Sequence, residues 1–374
     1  MNAENAAELN KSGKKLNMVV TGGGSSWANN FLEHGGGSNT LSSFYVPYST
    51  KSIDVCIGGK PREKYVSDST ARQLATIAFI KCAEHHDAEN AIGVGLTCTL
   101  TRGPEDRDNR YYGGFIAIQT LGKLTCINFK IPSSNRNRIE QESIVSNLLD
   151  FAVLDAVNIS TKIDNVLETF SVERWETFTD PFETRISTLM NLTHLRSDWE
   201  DSSYFNAVES FEECPSPLNI FSGSFNPFHE AHKHIAEDAS NRLGKVVLEL
   251  CVLNFDKPPL DIKEIITRVR NLRKLGYDII VTNSPNILHK SILCPNSCFI
   301  MGIDTFRRID TDDYSYLVNR NCKLLVHPRD NDTLQDSYKF VPVIHPETFN
   351  LEPSEYTHLS STQIRKQNDE KAKI

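Results

Sequence analysis

The sequence predicts two α/β domains in tandem, the second built on a doubly wound parallel sheet. Three observations predict it. The chain has 374 residues, too many for one domain of roughly 150. Short apolar runs alternate with helical patterns in both halves. A central stretch, about 159–217, lacks that alternation. The 39% apolar and 24% charged residues are those of an ordinary globular protein, with enough apolar material for a core in each half.

Residues 1–15 read as a flexible terminus, followed by a first domain over 16–158. Within it Leu16 to Val20, Ala91 to Leu96, Gly114 to Thr120 and Thr125 to Phe129 read as strands, and Ser67 to Ala83 and Ile139 to Val157 as helices. Glycine runs at 22–24 and 35–37 mark loops, and successive amides in such a loop can cradle a phosphate. The acidic, aromatic stretch 159–217, with Trp175, Trp199 and Tyr204, reads as a partly helical connector that ends in Cys214-Pro215-Ser216-Pro217.

The second domain spans 218–366, with a tail over 367–374. Leu218 to Ser222, Val246 to Leu253, Ile279 to Thr282, Cys298 to Met301, Lys323 to Val326 and Phe340 to Ile344 read as strands, and His229 to Leu243 and Ile262 to Leu275 as helices. Strand and helix in turn imply right-handed crossovers and a parallel sheet.

Charge and targeting signals narrow the partners. A net charge of -8 and a pI near 5.8 argue against nucleic acid and anionic membranes, which repel an acidic surface. The first residues lack an apolar signal region, and no stretch approaches the roughly 18 apolar residues that span a bilayer. The expected setting is cytoplasmic or nuclear. The nine cysteines form no framework, so reduced thiols are expected; Cys294 and Cys298, the only close pair, cannot complete a zinc site alone. No metal ligands are assigned.

The segment Gly223-Ser224-Phe225-Asn226-Pro227-Phe228-His229-Glu230-Ala231-His232 lies between the first strand and first helix of the second domain. Ligands bind at that edge of a doubly wound sheet, against helix N-terminal amides. Two histidines three apart share a helix face and can donate hydrogen bonds to phosphoryl oxygens. Near the other end, Ser360-Ser361-Thr362-Gln363-Ile364-Arg365 reads as a second helix start, with hydroxyls to cap it and a guanidinium fork for phosphate.

Taken together and in this order, the two motifs resemble the adenylyltransferase members of the nucleotidyltransferase superfamily, particularly nicotinamide-nucleotide adenylyltransferases, over about Leu218 to Lys366. The resemblance implies a Rossmann-like fold. It makes His229 and His232 the pair that stabilises the transition state, with Arg365 beside them. Gly223, Ser224 and Phe225 would form the loop under the nucleotide, and Ser361, Thr362 and Arg365 would bind the β- and γ-phosphates. Lys257 matches a family lysine that reaches phosphate. Gly302 and Asp304 match a Gly-x-Asp turn that faces the nucleotide or acceptor, although Asp304 also reads as a helix cap. Ala231 departs from the family's glycine, which matters if the backbone there needs positive φ.

The first domain carries a second resemblance. Thr21-Gly22-Gly23-Gly24-Ser25-Ser26, Val46-Pro47-Tyr48-Ser49, Val66-Ser67 and Thr99 to Gly103-Pro104 before Tyr111-Tyr112-Gly113-Gly114 are similar to the CinA C-terminal family, which includes nicotinamide-nucleotide amidases. Active members place Glu-Ser-Cys before Thr-Gly-Gly; here Met18, Val19 and Val20 stand there, and Ile53 replaces a family lysine. Valine is no nucleophile. Ser25, Ser26 and Lys51 are nearby substitutes, but loss of amidase chemistry is the expectation, and family members often form homo-oligomers.

The expected activity is transfer of AMP from ATP, with Mg2+, to a mononucleotide such as NMN or nicotinate mononucleotide, releasing pyrophosphate. Two other readings stay open: an adenylyl- or cytidylyltransferase for another phosphorylated acceptor, and a nucleotide-binding regulator without turnover.

Overall fold

The structure, a computed structural model, describes residues 1–102, 106, 112–132, 137–159, 171–179, 192–195, 206–208, 217–253, 258–329, 332–356, 358–361 and 363–365. Gly103, Pro104, Tyr111, Trp199, Tyr204, Cys214, Lys257, Thr362 and the tail lie outside the described residues. The chain divides into two compact units. The first comprises Met1–Asp180, Arg185–Ser187 and Asp256–Glu264; the second comprises Pro181–Thr184, Thr188–Phe255 and Ile265–Ile374. Both are α/β, as the sequence predicts.

In the first unit, strands β1 (Lys15–Thr21), β2 (Leu41–Tyr45), β3 (Ala91–Thr99), β4 (Tyr112–Gln119), β5 (Lys123–Ile131) and β6 (Val172–Thr179) form one sheet in the order β2-β1-β3-β4-β5-β6. β1 pairs in parallel with β2 and β3, and the rest is antiparallel. Helix α1 (Ala3–Lys11) precedes the sheet; α2 (Ser26–Leu32), α3 (Thr50–Ile57), α4 (Asp68–Ala83) and α5 (Arg138–Ala156) follow. α4 lies almost against β3, because Gly93 and Gly95 leave no side chain between them: a Cβ at Gly93 would sit 2.1 Å from the Ala75 carbonyl oxygen, and one at Gly95 2.2 Å from that of Ala71. The face toward α5 is filled by Trp27, Phe31, Leu96, Phe129, Leu148 and Leu149.

Two expectations change here. The N-terminal segment read as flexible is helical from Ala3 to Lys11, because Asn2 caps it by accepting from the Asn5 amide at 2.8 Å and Ala6 and Leu9 are buried in the core. The stretch read as a partly helical connector contributes strands to both sheets among its described residues. Val172–Thr179 completes the first sheet, its β-branched and aromatic residues suiting an edge strand, while β7 (Leu192–Leu195) and β8 (Asn206–Val208) join the second.

The second sheet runs in the order β13-β12-β9-β10-β11-β7-β8. β9 (Asn219–Ser222), β10 (Val246–Cys251), β11 (Asp278–Thr282), β12 (Cys298–Gly302) and β13 (Lys323–His327) are parallel. β11 pairs antiparallel with β7. The crossovers are α6 (Glu230–Leu243), α7 (Ile262–Arg273), α8 (Ile287–Leu293), α9 (Ile303–Phe306) and α10 (Asp313–Asn319). The strand expected at Phe340 to Ile344 is reduced to one parallel bridge between Leu324 and Ile344, with Val343 and Ile344 buried beneath it. The chain reverses from β10 through β9 to β12, so the C-terminal end of β9 is the switch point where such sheets open a crevice.

Candidate active site

The site is built where three neighbouring parallel strands end. β9 leads into the loop Gly223–Phe228, β12 runs straight into α9 at Gly302, and β13 ends at His327. The β12–β13 register pairs Gly302 with His327. Two residues further along each chain stand Asp304 and Arg329, and they form an ion pair. Asp304 therefore does not cap: Gly302 is the N-cap of α9, with φ -78. A Cβ at Gly302 would meet nothing within 4 Å, so the backbone there is open to an approaching group.

The loop is shaped by an aromatic cluster. Phe225 adopts φ 42, a left-handed conformation that persists only where neighbours impose it. Its buried ring is surrounded by Phe221 at 5.5 Å, Phe228 at 5.7 Å and His232 at 5.2 Å between centroids. Gly223 is glycine for a steric reason: a Cβ would lie 2.5 Å from Phe225 Cε1. The Ser224 carbonyl accepts from the buried guanidinium of Arg268 in α7 at 3.0 Å.

The two histidines meet at the start of α6. His229 is the N-cap, in extended conformation, and its main-chain N–H donates to His232 Nδ1 at 3.3 Å. The rings stack with centroids 3.8 Å apart. Because His232 Nδ1 accepts, the ring proton of its neutral form resides on Nε2, which is then a donor. Burial, together with the neighbouring His229, pushes the His232 pKa down to about 3; burial and Arg329 lower that of His229, against a raising effect of Glu230. Both rings are therefore neutral near pH 7, each with one ring N–H available to donate. His229 Nδ1 is buried without a hydrogen-bond partner.

The C-terminal motif docks on the same loop. Ser360 Oγ caps the last turn by accepting from the Gln363 amide at 3.3 Å. Ser361 Oγ donates to the Pro227 carbonyl at 3.1 Å, and Arg365 donates to the Asn226 carbonyl. His229 and His232 thus meet Ser361 and Arg365, more than a hundred residues further along the chain, at Asn226–Phe228. Ala231 lies inside α6 and outside the positive-φ residues, so alanine suits it as well as glycine does.

Several residues of the site escaped the sequence reading. Arg329 carried a usable signal, since it follows a strand at the ligand edge. Glu249 carried one too, as an acid inside the apolar run Val246–Cys251; it is buried and accepts from Ser222, Thr282 and Lys290. Arg268 gave none, because nothing distinguishes it from Arg270 and Arg273 in the same helix.

In the first unit the glycine loop is already filled. Glu142 of α5 accepts from the amides of Gly24 and Ser26, each at 2.9 Å, and from Ser25 Oγ at 3.2 Å. An internal carboxylate thus takes the amides that a phosphate would use. Ser26 Oγ pairs with Ser146 Oγ at 2.6 Å, Lys51 is exposed, and Met18, Val19, Val20 and Ile53 are buried.

A parallel sheet with a strand–loop–helix edge, two neutral histidines and a docked arginine defines this α/β domain. Residues 220–367 match the protein family described as Cytidylyltransferase-like, so this part of the chain carries a nucleotidyltransferase-type domain. Among solved structures, the chain is similar to the competence/damage inducible protein CihA from Agrobacterium tumefaciens, with 19% identity, 42% of this chain and 94% of that one covered, and a TM-score of 0.34. It is also similar to a competence-damaged protein (CinA) superfamily protein from Enterobacter cloacae, with 14% identity, 42% and 90% covered, and a TM-score of 0.33. No curated protein matches the chain.

Proposed function

We propose that the C-terminal domain transfers AMP from ATP to the phosphate of a mononucleotide, NMN or nicotinate mononucleotide, with release of pyrophosphate. The observation that supports this reading is the convergence of His229, His232, Ser361 and Arg365 on one loop at the C-terminal edge of a parallel sheet. An acceptor phosphate oxygen attacks the α-phosphorus in line; the new P–O bond forms as the bond to the β-phosphate bridging oxygen breaks, and pyrophosphate carries away the electron pair. His232 Nε2–H and the His229 ring donate to oxygens on which charge builds. Arg365, with Ser361 and Thr362, holds the leaving phosphates, Lys257 reaches them, and Gly302 and Asp304 border the nucleotide.

Among the described residues no group of three or more His, Cys, Asp and Glu could hold a metal ion. The Mg2+ that commonly accompanies such triphosphates is proposed to travel on the phosphate oxygens and water. The pyridine-nucleotide acceptor rests on the resemblance of both halves to enzymes of nicotinamide nucleotides. The first unit is proposed to lack amidase chemistry.

Purified protein with ATP, Mg2+ and NMN or nicotinate mononucleotide should release pyrophosphate, and release at background with both acceptors would refute this assignment. The matching family description favours one alternative, a cytidylyl donor. Running CTP beside ATP, with pantetheine and sugar-alcohol phosphates as further acceptors, separates the two.

A further inference from the structure

Glu249 grips the beginning of the phosphate loop twice. Its carboxylate accepts from Ser222 Oγ at 2.5 Å, and its main-chain carbonyl accepts from the Gly223 amide at 3.1 Å. Ser222 is the last residue of β9 and Gly223 the first of the loop, so both bonds fall where the strand gives way to irregular backbone. The second carboxylate oxygen takes the Thr282 hydroxyl of β11 at 2.5 Å. Lys290, from α8, donates to the same oxygen as Ser222, also at 2.5 Å. One carboxylate thus ties together β9, β10, β11 and α8.

A buried ion pair is a poor way to gain stability alone, since apolar side chains of similar volume do as well or better. What such a pair supplies is direction. Burial presses the Lys290 ammonium down, but the Glu249 charge and the hydrogen bond to Glu249 hold it above the usual lysine range. The lysine therefore stays charged beside Glu249. On the same strand, Cys251 Sγ donates to the Ser284 carbonyl at 2.9 Å, fastening the end of β10 to the residues after β11. Downstream of the grip, the loop carries Phe225, on which His232 packs.

We propose that Glu249 and Lys290 are positioning residues for nucleotide transfer: they fix Ser222–Gly223, and through that junction the register of Phe225, His229 and His232 toward the triphosphate. This rests on the reading of the domain as a nucleotidyltransferase. Neither residue touches substrate in this scheme. A displacement of about 1 Å in such a constellation costs about 10²-fold in rate.

The test uses the full chain with Glu249→Gln, Lys290→Met and the double substitution. Thermal melting, ATP binding by calorimetry and hydrogen–deuterium exchange across 221–232 are read in parallel. Glu249→Gln should weaken ATP binding by about tenfold or more and speed exchange in the loop. The double variant, which buries no unbalanced charge, should recover melting temperature while exchange stays fast and binding stays weak. If the double variant restores binding and exchange along with melting, or if Glu249→Gln leaves both unchanged, the positioning role is overturned. Fast exchange in Glu249→Gln alongside a wild-type chain that binds neither ATP nor CTP would uphold the grip and refute the transferase reading instead.

Discussion

Gly223→Ala is the smallest change that should disable the site while leaving the fold in place. The added Cβ would stand 2.5 Å from Phe225 Cε1 and 2.6 Å from Cζ, whereas carbon atoms settle at about 3.5–4.0 Å. The ring must retreat by about 1 Å. It has nowhere neutral to go, because Phe221 and His232 meet it edge-on and Phe228 lies across it. Overpacking of this kind costs about 1–3 kcal/mol, a fall of a few degrees in melting temperature for a domain of this size. The catalytic cost is larger, because the displaced ring shifts His232: about 10²-fold for a misplacement near 1 Å. Gly302→Ala is the control, since its methyl has open space; melting should hold while KM for the triphosphate rises. Differential scanning fluorimetry and initial rates of pyrophosphate release read both. A Gly223→Ala protein within twofold of wild type would refute the steric argument.

Four further outcomes follow from the same geometry. His232→Ala removes the Nε2–H donor, and turnover should fall about 10²–10³-fold with the circular dichroism spectrum unchanged; undiminished turnover would contradict the donor role. Arg365→Lys keeps the charge but loses the fork, so ATP binding by calorimetry should weaken about tenfold, and unaltered affinity would count against a phosphate contact. His327 is buried with its pKa lowered to about 4 mainly by burial, below the ordinary 6.5 that it regains on unfolding. Its neutral form costs nothing above pH 6.5. Between 6.5 and about 4 the unfolded chain takes up a proton that the folded one refuses, so stability should fall by up to about 1.4 kcal/mol per pH unit. Urea midpoints from pH 7.5 to 4.5 should decline and His327→Gln should flatten the decline; a midpoint that rises on acidification would oppose it. Finally, Glu142→Ala strands the amides of Gly24 and Ser26, lowering stability by about 2 kcal/mol with pyrophosphate release unaffected, and inorganic phosphate should raise the melting temperature of this variant more than that of wild type. Equal shifts would mean the carboxylate does not fill the loop.

The legible parts of the molecule were those whose signal is local. β9 and α6 follow from an apolar run, a loop motif and a helical pattern within 26 residues, and α4 from the long helical pattern of Ser67 to Ala83. Long-range contacts left no such trace. α2 and α3 are short, seven and eight residues, and periodicity over so few positions cannot separate helix from loop. β6 looked like a connector because its apolar residues Val172, Trp175 and Phe178 are three apart, a helical spacing, while its hydrogen bonds come from β5. At the site, the histidine pair announced itself by spacing on one helix. The ion pair of Asp304 with Arg329 required the β12–β13 register, and the filling of the glycine loop by Glu142 required a contact across 118 residues. The glycine run looked the same in sequence whether its amides faced a ligand or a carboxylate.

The fate of the two ends of the triphosphate tests nucleotidyl transfer most directly. With ATP labelled at the α-phosphate or at the γ-phosphate, Mg2+ and a mononucleotide acceptor, the α-label should appear in a dinucleotide and the γ-label in pyrophosphate. Appearance of the γ-label in orthophosphate or on the acceptor, with the α-label left in ADP, would contradict it.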